Sequence, residues 1–189
     1  MAYTVIYDAN VLFPAPLRDL LIRVALTGVV RARWTNEILD ECFHNVLAQR
    51  PDLSEERLQR TRELMNRAIR DSLVTGYEPL IDSISLPDPD DRHVLAAAVQ
   101  ASAQAIITFN LKDFPNSALE PLGIEAKHPD EFILEMINLA PGAVTSAVME
   151  QARSLRNPPC SLADLLGTLA NQGLTRSVAK LRERCGLMV

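Results

Sequence analysis

Several acidic side chains stand where a carboxylate is costly unless it has a chemical role. Asp8 closes the β-branched and aromatic run Tyr3-Thr-Val-Ile-Tyr7, and an acid ending a strand suited to burial is costly to desolvate. Glu37 and Glu41 lie four residues apart, on one face of a helix. Asp88, Asp90 and Asp91 crowd the start of an alanine-rich helix former, Arg92 to Val99. Asp113 follows Ile107-Thr-Phe-Asn-Leu-Lys. If their elements converge, these carboxylates share one pocket, repel, and raise one another's pKa until a cation neutralises them. Hard oxygen donors suit Mg2+ or Mn2+. Such an ion acts as a Lewis acid and lowers the pKa of a coordinated water, so hydrolysis at such a site needs no side-chain nucleophile.

Each residue also has an ordinary structural role to play. Asp88, followed by Pro89, is a near-ideal N-cap, and capping is the favoured account of it. Asp91 then falls in the third position, where an acid suits the helix dipole. Asn110 is a turn former and Asp113 a loop acid. Glu37 and Glu41 suit a solvated face, although Glu41 lies nearer the buried stripe through Leu39. His93 reads as a packed helix residue, having no identifiable partner, and Trp34 reads as core.

The elements that must position these acids follow from periodicity and stop signals. Tyr3–Tyr7 is a strand, and Leu17–Leu26 carries apolar residues at helical spacing before Gly28. Val29–Trp34 is a second strand. Thr35 or Asn36 caps a helix with Ile38, Leu39, Phe43, Val46 and Leu47 inward. Ser54-Glu55-Glu56-Arg57 starts a charged helix reaching about Leu73. Tyr77–Ser85 reads as loop with a short extended piece. Ala105–Phe109 and Gly123–Ala126 are further strands, and Asp130–Leu139 a helix. Strands alternating with helices specify an α/β domain with a parallel sheet. Pro141-Gly142 marks a boundary between residues 1–140 and a helical extension, 141–189. That extension has three helical stretches (Ala143–Leu155, Ser161–Ala170, Leu174–Arg184), separated by Asn157-Pro-Pro and Asn171-Gln-Gly.

The chain of 189 residues is 48% hydrophobic and 23% charged, a globular composition with a full core. Its net charge of −5 argues against a generic nucleic-acid binder. The charge is unevenly spread: residues 71–149 hold twelve acidic and three basic side chains, a local net of −9. An acidic pocket with an arginine-bearing rim is compatible with this partition. Asp8 interrupts the N-terminus before any secretory signal could form, and no apolar stretch is long enough to cross a bilayer. Three cysteines without a CxxC pair disfavour a disulfide framework, so a cytoplasmic location is expected.

Taken in order, Val5-Ile-Tyr-Asp-Ala-Asn-Val-Leu, Thr35-Asn-Glu-Ile-Leu-Asp-Glu, Leu86-Pro-Asp-Pro-Asp-Asp-Arg-His and Ile107-Thr-Phe-Asn-Leu-Lys-Asp-Phe-Pro resemble the motifs of PIN-domain ribonucleases, particularly bacterial VapC-like toxins. His128-Pro-Asp-Glu-Phe resembles the segment that follows them. The resemblance implies a three-layer α/β/α fold around a twisted parallel sheet, here with the C-terminal helical extension. It also implies a catalytic quartet of Asp8, Glu41, Asp91 and Asp113. Asp8, Asp91 and Asp113 would be the ligands of Mg2+ or Mn2+. Asn10, Thr108 and Asn110 match the supporting polar positions, and Glu37 and Asp88 are the alternates. The implied activity is endoribonucleolytic cleavage of single-stranded or structured RNA, with a cognate antitoxin protein as partner and a homodimer compatible. Arg18, Arg23, Arg50, Arg57 and Arg60 are candidates to steer the RNA backbone. Two rival readings remain open. One is a noncatalytic PIN-like module that binds RNA or protein. The other is a phosphohydrolase with Asp8 as nucleophile, although Asn10 stands where such enzymes carry a second acid and only Lys112 is in range.

Overall fold

The computed structural model describes residues 3–156 and 158–187. Four short strands form one parallel sheet: β1 (Thr4–Tyr7), β2 (Arg31–Arg33), β3 (Ala105–Ile107) and β4 (Glu125–Lys127), in the order β2-β1-β3-β4. The middle strands β1 and β3 are wholly buried, in keeping with their unbroken apolar runs. A short helix, α1 (Ala9–Leu12), follows β1 directly, and α2 (Ala15–Leu26) leads to β2. Between β2 and β3 lie α3 (Asn36–Gln49), α4 (Glu55–Ala68), α5 (Glu78–Ile81) and α6 (Arg92–Gln100). α7 (Asn116–Leu119) precedes β4, and four helices close the chain: α8 (Pro129–Leu139), α9 (Pro141–Ser154), α10 (Leu162–Asn171) and α11 (Thr175–Arg184).

The chain crosses from β1 outward to β2, then back past β1 to β3. Parallel connections are right-handed, so reversal of direction puts α2 and α6 on opposite faces of the sheet. The result is the expected three-layer α/β/α arrangement. Tyr7 and Trp34, both fully buried, stack at a ring separation of 6.5 Å and anchor the core. The Trp34 indole N–H still needs a partner there, and donates to Asn66 Oδ1 at 2.8 Å.

Local sequence chemistry sets most element ends. Thr35 caps α3 by accepting from Ile38 N, and Ser54 caps α4 by accepting from Arg57 N. Beyond strands and helices whose ends shift by up to two residues, two expectations differ from the structure. α4 stops at Ala68 rather than near Leu73, because Asp71 turns left-handed at φ 56° and the chain then pairs beside Trp34, through Trp34 N to Ser72 O and Val74 N to Trp34 O. The extended piece expected in Tyr77–Ser85 is instead the single helical turn α5, with Pro79 in a position suited to a helix start. In the Asn157-Pro-Pro break, Asn157 lies outside the described residues.

The C-terminal helices are bound to the rest by specific bonds. α9 packs on α2, where Gln151 Nε2 donates to Pro16 O at 2.8 Å and an Arg23 guanidinium N–H donates to Ser154 Oγ at 3.1 Å. Asp130 of α8 is buried and accepts from the backbone N–H groups of Arg176 and Ser177, capping the start of α11. Among the described residues no helix is long and apolar enough to cross a membrane.

Candidate active site

In an open parallel sheet, ligands collect beyond the carboxyl ends of strands where the order reverses. Here that point lies between β1 and β3. Asp8 follows β1 and Thr108 follows β3, and the structure joins them. The Thr108 hydroxyl donates to Asp8 Oδ2 at 2.7 Å. Asn10 Nδ2 donates to the same oxygen at 2.7 Å and to Thr108 Oγ1 at 2.9 Å. Asp8 Oδ1 accepts from Ala9 N at 2.7 Å, so the carboxylate also caps α1. Asn10 Oδ1 accepts from Phe109 N, and Thr108 Oγ1 from Asn110 N. The sequence-derived trio of Asp8, Asn10 and Thr108 is thus one hydrogen-bonded unit. Asn110 extends it by donating a short side-chain bond to Asp113 Oδ2.

Around this clamp the other acids converge. Glu41 from α3, Asp91 from the turn before α6, and Asn110 line a concavity of about 710 Å3, together with the alternates Glu37 and Asp88. The Asp91 carboxyl is pushed up to about 6, first by burial and then by the negative charges of Asp8, Asp88, Asp113 and Glu41. Asp8 is also raised, chiefly by burial and further by Glu41, against the lowering effect of its bonds from Thr108 and Ala9. Asp91 thus feels the charges of Asp8, Glu41 and Asp113, and Asp8 feels that of Glu41, although Asp8 and Asp113 do not themselves line the concavity. Asp88 additionally keeps its capping role, accepting from Asp90 N at 2.9 Å.

His93 is the residue whose part sequence reasoning missed. It is buried, as expected of a packed helix residue, but it stands between the two glutamates of α3. Its Nδ1 lies 3.7 Å from Glu37 Oε2, its Nε2 3.8 Å from Glu41 Oε2, and Nδ1 has no hydrogen-bond partner. Burial pulls its pKa down, yet Glu41, Glu37 and Asp8 outweigh that and hold it above the ordinary value. The signal that could have found it is the four-residue spacing of Glu37 and Glu41, which presents two carboxylates to one neighbour. Glu37 is further drawn aside by the Tyr77 hydroxyl, which donates to Oε2 at 2.9 Å.

The donor set is hard oxygen with excess negative charge, which in its chemistry fits a divalent cation. Among the described residues, however, no three His, Cys, Asp or Glu side chains are grouped closely enough to hold a metal ion as placed. The hollow fits the ion by charge rather than as a finished cage. Of the arginines considered for steering RNA, Arg18 is turned inward, donating to Leu12 O at 2.7 Å and lying over the Phe43 ring. Arg23 and Arg50 are held by Asp19 and Asp52.

Comparison with known proteins bears on this geometry. A profile of the PIN domain matches residues 4–112, more than half of the chain. The chain belongs to the PIN domain family. The match takes in Asp8, Glu41 and Asp91 and stops one residue before Asp113. A profile of the VapC50 C-terminal domain matches residues 129–183 of this PIN-domain chain. The VapC50 protein of Mycobacterium tuberculosis (strain ATCC 25618 / H37Rv), named as a candidate ribonuclease, is 40% identical over 97 residues. The match covers 51% of this chain and 57% of that protein, so the chain spans little more than half of the curated relative's length. No solved structure matches the chain significantly.

Proposed function

We propose that this PIN domain is a metal-dependent endoribonuclease that hydrolyses phosphodiester bonds of single-stranded RNA. The observation that carries the reading is the buried Asp8, fixed by Thr108 and Asn10 at the strand-order reversal beneath a hollow of further carboxylates. Asp8, Asp91 and Asp113 would hold Mg2+ or Mn2+. Such an ion, when bound, supplies Lewis acidity to the phosphate and favours ionisation of water. The protein's own groups do the rest. The clamp of Asn10 and Thr108 fixes the Asp8 carboxylate through Oδ2, leaving a lone pair on Oδ1 for a cation. Asn110 holds Asp113 in the same way. Glu41, half-exposed on α3, orients the attacking water and accepts its proton.

As a partner we propose a protein antitoxin, on the VapC likeness that both the motifs and the C-terminal profile support. Asp8 as a covalent nucleophile fits poorly. It is buried, both of its oxygens already accept hydrogen bonds, and the lysine that such chemistry wants would have to be Lys112, which is exposed.

The deciding experiment is cleavage of a single-stranded RNA panel in Mg2+, Mn2+ or EDTA by the wild type and by Asp91→Asn. Cleavage is expected only with metal and only in the wild type. Cutting in EDTA, or an unimpaired variant, overturns the mechanism.

A further inference from the structure

A second concavity, of about 650 Å3, lies at the outer edge of the sheet and shares no lining residue with the acidic one. Its walls come from the end of α2, from β2 and from residues 68–71 at the end of α4 and just after it. It forms because the segment that pairs beside Trp34 diverges from β2 before reaching Arg31–Arg33, leaving the strand's amino half uncovered. Arg31, Arg33 and Arg70 line it, against a single carboxylate, Asp71. Arg31 and Arg33 are two apart on a strand, hence on one face and about 7 Å apart along it. Among the described residues none of the three is in an ion pair, whereas Arg23, Arg50 and Arg62 each hold a carboxylate. Leu26, 58% exposed, gives the cavity an apolar ledge.

Like charges gathered in one hollow imply an oppositely charged occupant, by the same electrostatics that governs the carboxylates. The acidic hollow cannot hold a polyanion by itself, because Glu37, Asp40, Glu41, Asp88, Asp90 and Asp91 all line it. Binding energy for RNA must come from elsewhere on the surface. We propose that the Arg31–Arg33–Arg70 concavity is a holding site for the phosphodiester backbone of single-stranded RNA, separate from the cleavage centre. This rests on the nuclease reading for the identity of the polyanion. Guanidinium forks match phosphate oxygens two at a time, and a base can lie on the Leu26 ledge. An acidic peptide added as a strand is disfavoured, because β2 offers only three residues and Trp34, just beyond it, is already paired to residues 72–74.

The test is fluorescence anisotropy of a labelled single-stranded RNA oligonucleotide with the full chain in EDTA, where cleavage plays no part. The variants are Arg70→Gln and the triple change of Arg31, Arg33 and Arg70 to Gln, each melting like the wild type. The triple variant is expected to bind at least tenfold more weakly. Its log–log salt slope should be shallower by about 2, from roughly 0.7 per lost phosphate contact on a single strand. Arg70→Gln, on an exposed position, is expected to weaken binding about threefold, and covers the case in which the triple variant does not fold. Wild-type affinity in the folded variants overturns the holding site even if RNA is cleaved. Absence of cleavage with arginine-dependent binding intact instead overturns the nuclease reading alone. If poly-glutamate binds in an arginine-dependent way and RNA does not, the concavity serves an acidic protein segment and the proposal falls.

Discussion

Thr108 has one hydroxyl proton and gives it to Asp8, while its oxygen accepts from Asn10 and from the Asn110 backbone. Replacing it by valine keeps the shape and removes all three bonds around a fully buried side chain. Thr108→Val should therefore cost about 1–3 kcal/mol in chemical denaturation, the penalty for leaving buried polar groups unpaired. Asp91 behaves in the opposite sense. Its folded pKa, about 6, lies above the ordinary 3.8, so the metal-free folded state binds the proton more tightly than the unfolded chain does. The contribution of Asp91 to stability in EDTA should therefore fall as pH rises from about 4 through 6 and level off above that. Asp91→Asn should accordingly raise the denaturation midpoint of the metal-free protein at pH 8, with the gain gone at pH 4, while abolishing RNA cleavage. A variant that loses activity and also loses stability at pH 8 would contradict the repulsion argument.

At the level of elements, α10 and α11 reach the loop that carries the clamp. Gly173, between them, has φ +98°, and a Cβ there would stand 3.3 Å from the Phe109 ring, which packs edge-on against His128. Gly173→Ala should cost about 1–2 kcal/mol from the left-handed backbone alone, read as a lowered urea midpoint. The parallel sheet was legible in the sequence because Thr4–Tyr7 and Ala105–Ile107 are buried on both faces and read as unbroken apolar runs. The caps Thr35, Ser54 and Asp88 were legible because a cap is a local bond. The four-residue helices α1, α5 and α7 were not, since none is long enough to show a period. The early end of α4 was not either, since it follows from pairing with Trp34, a contact distant in sequence. In the candidate site, the individual acids could be read from strand ends and helix starts. The wedge of His93 between Glu37 and Glu41 could not, because it depends on how α6 meets α3.

Across the whole molecule, crowded carboxylates gather over the carboxyl ends of the sheet, while Arg31, Arg33 and Arg70, in no ion pair among the described residues, line its outer edge. A divalent cation that relieves the crowded acids binds the folded state and not the unfolded one, so it should raise the melting temperature in proportion to the logarithm of its concentration. Differential scanning fluorimetry at pH 7.5 should show this with Mn2+ and Mg2+ in the wild type, and a smaller rise in Asp8→Asn and Asp91→Asn. An equal rise in all three would place the ion elsewhere.

The bonds from Asp130 to α11, and from Gln151 and Ser154 to α2, have a practical corollary for anyone wishing to shorten this polypeptide. A fragment ending at residue 140 would strip Val144, Val148, Leu165, Leu166 and Leu169 from the core they help fill and leave bare the hydrophobic sides of α2 and α8. Such a fragment is expected to aggregate rather than act as a minimal enzyme, and limited proteolysis of the intact chain should yield no long-lived amino-terminal piece.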